Sequence, residues 1–232
     1  MRVIAPVLVD CRCRLGVWRL RLLFSVVAAL LVGVGCDGGG ERARRSAGSR
    51  PRQLSLTILS DSGDARVPLT REAIAHWNGE AVRLQLGLRL DSGIVRPQLV
   101  PVATLESASR SMPRGGLDLL RLRAALSEVP GDIVIILSSA PLVSFGTSFG
   151  TGRTGVVVVR AADRWPLALP NTVRNVVAHE LGHVLGLQHN SDSTTLMCGR
   201  PADCRPATFA SLRPRIFPLT PEDELQLRRN WR

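Results

Sequence analysis

Three of the four histidines in this chain fall within eleven residues, His179-Glu180-Leu181-Gly182-His183-Val184-Leu185-Gly186-Leu187-Gln188-His189. Histidines four apart on an α-helix stand one turn above each other, so His179 and His183 can offer their imidazoles to one metal ion. A third ligand six residues on would lie about 120° round the axis and about 9 Å further along if the helix continued. The helix must therefore end before His189. Gly186 predicts where, because glycine takes the left-handed conformation that turns a chain off a helix end without a Cβ penalty. Three converging imidazoles predict a site for Zn2+. Glu180 beside them has the chemistry of a general base acting on a metal-activated water. Two histidines flanking a glutamate in this way are weak evidence on their own. The five fixed positions of the longer pattern recur by chance only about once per hundred thousand chains of this size.

The run is followed, eight residues after His189, by Met197 in Thr195-Leu196-Met197-Cys198. Together these features resemble the metzincin clan of zinc endopeptidases. Within the clan the run is most similar to the matrixins, as is the later Leu219-Thr220-Pro221-Glu222-Asp223. The resemblance spans roughly Gln53 to Trp231 and is specific in its last third. It implies an α+β zincin domain with a twisted mixed sheet, an active-site helix, a Met-turn and a C-terminal helix. It also implies that His179, His183 and His189 hold zinc, that Glu180 is the base, and that Met197 forms a hydrophobic floor beneath the metal without ligating it. A protein or peptide substrate is expected, with its S1′ pocket shaped by the loop from Ser191 to Pro206. The chain has no tyrosine, so the tyrosine ligand of some metzincin families has no counterpart. The alternative is a surface-anchored, zinc-containing binding protein that cleaves nothing, a reading against which the retained Glu180 argues.

Arg12, Arg14, Arg19 and Arg21 precede an apolar run from Leu22 to Val34, the length of a signal-peptide core and short for a spanning helix. The sequence Gly33-Val34-Gly35-Cys36 resembles a bacterial lipoprotein cleavage box, although Gly33 stands where such boxes usually carry leucine. Residues 1–35 are thus expected to be a signal peptide, with Cys36 lipidated and tied to a membrane. A conventional signal-peptidase cut nearby and a retained membrane anchor are the alternatives. Each of these exports the domain, to the bacterial cell envelope or beyond. Residues 36–52, rich in Gly, Ser and Arg, form a flexible tether, too short for a folded propeptide of the matrixin kind. Residues 53–232 are expected, from the resemblance, to form the catalytic domain.

Of five cysteines, Cys11 and Cys13 leave with the leader and Cys36 is acylated, so Cys198 and Cys204 are left to pair. A disulfide there suits an oxidising compartment and stiffens the chain just after the Met-turn. The rival is a thiolate ligand or inhibitory switch at Cys198, against which a complete three-histidine shell argues.

All 30 basic residues are arginine, and the formal charge is +11. Removing residues 1–35, with five arginines and one aspartate, leaves 25 basic and 18 acidic residues and a charge of +7. The arginines are scattered and aromatics make up 4%, so no nucleic-acid partner is expected. A monomer is expected.

Along the domain, Leu54–Leu59 predicts a first strand and Asp61–Asp64 a turn. Thr70 is expected to cap a helix burying Ile74, Trp77, Ala81 and Leu84, with His76 a half-exposed bystander. Alternation from Leu84 to Leu90 predicts a half-buried strand, and Val100 with Val102 a further short one in an otherwise exposed loop. Leu117–Val129 predicts a helix striped by Leu119, Leu122, Leu126 and Val129. Ile133–Leu137 and Val156–Val159 predict buried strands. The glycine-rich stretch Phe145–Gly152 corresponds by resemblance to a substrate-pairing edge strand, with an ordinary hairpin as the alternative. Asn171 is expected to cap the active-site helix, buried along Val173, Val176, Val177 and Leu181. Thr220 is expected to cap a final helix docked through Leu225, Leu227 and Trp231. Mass spectrometry of the mature N-terminus should find an acylated Cys36; an unmodified terminus elsewhere rejects the lipid anchor.

Overall fold

The structure is a computed structural model that describes residues 51–112, 117–149, 155–163, 165, 168–199, 204 and 213–232. The leader, most of the tether, Cys36 and Gly150–Gly152 lie outside the described residues, and the Ser191–Pro206 loop is described only as far as Gly199 and at Cys204.

Ile133–Leu137 (β5) is apolar at every position and buried on both sides, as a central parallel strand must be. It lies between Leu56–Ser60 (β2) and Gly155–Val159 (β7), both parallel to it. Ile94–Pro97 (β4) adds a parallel edge to β2, and Phe145–Ser148 (β6) closes the other edge antiparallel to β7. The result is a five-stranded mixed sheet in the order β4-β2-β5-β7-β6. The α+β fold class with a mixed sheet is therefore as expected. Arg52–Leu54 (β1) pairs in parallel with Leu88–Leu90 (β3) as a separate ribbon. The single strand expected over Leu54–Leu59 is thus two, divided at Ser55. There the Asp132 carboxylate accepts from both the backbone N–H and the hydroxyl of Ser55.

Helices cover both faces. On one face Arg66–Arg83 (α1) and Pro170–Val184 (α4) enclose Ile58, Ile135 and Val157. On the other Val102–Ser111 (α2) and Leu117–Ala125 (α3) enclose Leu59, Val134, Ile136 and Val158. Pro221–Trp231 (α5) packs Leu227 into the first of these cores. Among the described residues no helix is long and apolar enough to cross a membrane.

The predicted buried face of α1 is present, and Trp77 at its centre also donates from Nε1 to Ala178 O of α4 at 2.9 Å. Its start differs from expectation. Thr70 lies inside the helix and donates to Arg66 O, while the Asp64 carboxylate accepts from Arg66 N–H at the true N-terminus. Pro68 allows this earlier start, since a first-turn residue has no helical partner for the N–H that proline lacks.

The strand expected at Val100 and Val102 is instead the entry to α2, whose first carbonyl acceptor is Pro101. The strand in this region is β4, exposed at all four positions and so without the alternation that would mark it. Burial alternates from Leu84 to Leu90 as expected, but only Leu88–Leu90 pairs as a strand. Helix α3 stops at Ala125, although Leu126 and Val129 still pack inward beyond it.

Asn171 does not cap α4, which starts at Pro170 behind Leu169. Asn171 accepts from Arg215 N–H and donates to Arg213 O. One turn later Asn175 donates to Arg215 O and accepts from Phe217 N–H. Two buried amides thus lace the 213–217 segment along the helix. At α5 Thr220 caps the helix as expected and forms a capping box with Asp223, Leu227 is fully buried, and Leu225, expected to dock, is 54% exposed. Trp77→Ala should lower unfolding free energy by about 3–5 kcal/mol. Thr220→Ala should lower it by about 1 kcal/mol. Urea titration with an unchanged slope checks both.

Candidate metal centre

Helix α4 presents His179 and His183 on one face, their Nε2 atoms 3.2 Å apart. The helix then ends as predicted. Gly186 has φ +96°, its N–H reaches His183 O, and Leu187 N–H reaches Gly182 O, the two bonds of a Schellman motif. The turn brings Nε2 of His189 to 3.1 Å from that of His179 and 3.0 Å from that of His183.

Helix α5 secures this helix end. Trp231 Nε1 donates to Leu185 O at 2.9 Å and Gln226 Nε2 to Gly186 O at 2.6 Å, satisfying carbonyls that a helix terminus leaves without partners. Trp231 thus docks α5 as expected, through its ring nitrogen as well as its apolar surface.

The protonation pattern follows from the partners. Nδ1 of His179 lies 2.6 Å from Leu196 O, and Nδ1 of His183 lies 2.9 Å from Leu187 O. A carbonyl oxygen only accepts, so in each ring the proton sits on Nδ1 and Nε2 carries a lone pair. Burial holds His179 down to about 4, opposed by the Leu196 carbonyl and reinforced by the neighbouring histidines; burial also lowers His183 and His189. A neutral imidazole whose Nδ1–H is bonded to a carbonyl offers its Nε2 lone pair in the form that ligates metals, and all three Nε2 atoms face one point. In tetrahedral zinc with Zn–N bonds of 2.0–2.1 Å, ligand nitrogens stand about 3.3–3.4 Å apart, so the observed triangle fits such an ion with little adjustment. These are the three residues among those described that group as metal donors. His76 lies apart on α1, half-buried, as expected.

Glu180 is 8% exposed, and its carboxylate accepts from the backbone N–H of Gly146 in β6. Burial pushes its carboxyl up to about 8 and the Gly146 N–H pulls it down. A cation held by the imidazoles would also pull it down. Met197 is fully buried with its sulfur against Gly182 of α4, in keeping with a floor to the site. Cys198 and Cys204 form the expected disulfide, with Cα atoms 5.5 Å apart. Cys198 is thereby committed to Cys204 and is no thiolate ligand.

Sequence reasoning missed the carbonyls of Leu196 and Leu187 and the N–H of Gly146, because backbone groups leave no residue signature. It also missed Asn190, which immediately follows the third histidine. Asn190 Oδ1 accepts from Asp192 N–H and the Thr195 hydroxyl, and Nδ2 donates to Asp223, so one side chain joins the metal loop to α5.

Residues 142–210 match the matrixin family. The matrixin-like segment contains β6, β7, α4, all three clustered histidines, Met197 and both bonded cysteines. Among curated proteins none matches. Among solved structures, archaemetzincin from Methanopyrus kandleri aligns over 77% of this chain and 94% of its own length, with 21% identity and a TM-score of 0.47.

The histidine shifts give a signed pH dependence. Each folded pKa lies below the ordinary 6.5, so the unfolded chain takes up protons first and stability falls as pH drops from about 6.5 toward 4. Glu180, raised from 4.5 to about 8, acts in the opposite sense over the same range. In chelator-treated Glu180→Gln protein the opposing group is gone. Denaturation midpoints should then decline from pH 7 to pH 4.5; a flat profile contradicts the assignment.

Proposed function

We propose that this chain is a zinc-dependent endopeptidase of matrixin type. The observation that carries the reading is the triangle of Nε2 lone pairs, two of them fixed by carbonyls behind the rings. The two fixed acceptors, His179 and His183, face each other at 3.2 Å and repel unless a cation or a donor lies between them, and His189 brings a third Nε2 to the same point. The matrixin match over residues 142–210 supports the same reading.

His179, His183 and His189 would hold the metal, which supplies Lewis-acid activation of water and of the scissile carbonyl. Glu180 takes the proton of the attacking water and returns it to the departing amine. Burial strengthens the carboxyl as a proton acceptor, a cation held by the imidazoles would lower it again, and the Gly146 N–H holds it in place. Among the described residues strand β6 is an edge of the sheet, the position at which an extended peptide would add as a further strand, with main-chain bonds giving affinity and side-chain pockets giving selection. Export, with an acyl chain on Cys36 as the tether, belongs to this proposal, and the Cys198–Cys204 bond supports it because disulfides persist in oxidising compartments.

Glu180→Ala should keep one equivalent of zinc and lose about 10²–10⁴-fold in cleavage of an unfolded protein substrate. Undiminished cleavage in that variant removes the mechanism. Stoichiometric zinc with no cleavage by the wild type would favour a zinc-containing binding protein.

A further inference from the structure

Two of the three imidazoles are aimed by carbonyls, and the third is not. Among the described residues nothing accepts from Nδ1 of His189, and the residue itself is exposed. Its ring lies instead against the Cα of Gly199, where any Cβ would overlap Cγ, Cδ2 and Nδ1 of the imidazole.

The two sides of that contact are held by different means. On the histidine side, Asn190 donates from its backbone N–H to Met197 O and is tied by its side chain to Thr195 and Asp223. On the other side, Gly199 N–H donates to Asn190 O at 3.0 Å, and Asn190 forms a parallel bridge with Cys198. Immediately before Gly199 stands Cys198, buried and bonded to Cys204. Among the described residues, Gly199 is held by its bond to Asn190 O and, through the adjoining Cys198, by the covalent link to Cys204.

We propose that Gly199 is the positioning residue of the third metal ligand and that the Cys198–Cys204 disulfide holds it there, making metal affinity dependent on the redox state of this pair. The proposal rests on the reading of the three histidines as metal ligands. With the disulfide intact, Gly199 backs the imidazole and keeps Nε2 turned toward those of His179 and His183. A small-molecule thiol attacks the half-buried Cys204 sulfur, and a second thiol resolves the mixed disulfide. Two electrons and two protons pass to the protein, Cys198 and Cys204 become thiols, and the reductant leaves as its own disulfide. Gly199 then loses its covalent restraint and keeps the bond to Asn190 O, a looser hold that lets it shift off the ring and returns rotamer freedom to His189. Loss of a group that orients a metal ligand typically weakens metal binding about 10–100-fold.

The test is zinc affinity, measured by competition with a chromophoric chelator. It compares the oxidised protein, the protein reduced with a water-soluble phosphine and desalted, the Cys198→Ser/Cys204→Ser double variant, and Gly199→Ala with its disulfide intact. Binding in the last three should be about 10–100-fold weaker than in the oxidised wild type. In a His189→Ala background none of the three changes should alter affinity further. At saturating cobalt(II), the ligand-field spectrum of the reduced protein should shift toward that of His189→Ala. If the double variant fails to fold, Gly199→Ala carries the comparison, since it keeps the covalent link and displaces only the ring. Equal affinity in oxidised and reduced protein overturns the proposal, as does weakening that persists undiminished without His189. Oxidised protein that binds no zinc at all overturns the metal reading itself, and this inference with it.

Discussion

The stop at Gly186 is the constraint on which the site depends. A helix can align two ligands by its own period, but a third from the same chain requires that the period be broken and the chain reversed within a few residues. The left-handed turn does this, and the carbonyls it exposes are taken up by Trp231 and Gln226. Asn230 Nδ2 stands where a Cβ on residue 186 would go, so the space beside the turn is as restrictive as its backbone angle. Helix α5, far along the chain, thereby supports the candidate metal centre although it contributes none of the three histidines.

How much of this was legible in the sequence follows from what each element uses to declare itself. β5 and β7 did so through unbroken apolar runs, and α1 and α4 through stripes of helical period. The ligands and the helix stop did so because side-chain identity alone carries that chemistry. The failures share a cause. Thr70 and Asn171 are good capping residues by type, but tertiary bonds claimed them: Thr70 turns back onto its own helix, and Asn171 serves the 213–217 segment. β4 escaped because an edge strand exposed at every position has no alternation to show. Leu225 shows the limit of hydrophobicity as a guide, since the stripe of α5 turns Leu227 inward and leaves its neighbour in water.

Burial does two opposed things around α4. It keeps the imidazoles neutral, which suits ligands, and it raises the carboxyl of Glu180, which suits a base. Both effects come from packing one helix between the sheet and α1, so a single act of burial prepares groups of different chemistry. The partners then differentiate them: carbonyls face the rings at Nδ1 and an N–H faces the carboxylate.

The ligands and the sheet also differ in how far apart along the chain their parts lie. All three ligands and the two carbonyls that aim them fall between residues 179 and 196, whereas β2 meets β5 by pairing Leu56 with Ile133, and Glu180 takes its N–H partner from β6. Short loops close at lower entropic cost than long ones, and contacts between distant segments form slowly. On the proposed reading the donor set comes from one short stretch of chain, while the turn inside it takes its anchor from α5. Glu180, by contrast, reaches its final setting only when β6 has joined the sheet, so the two halves of the proposed site depend on contacts of different range.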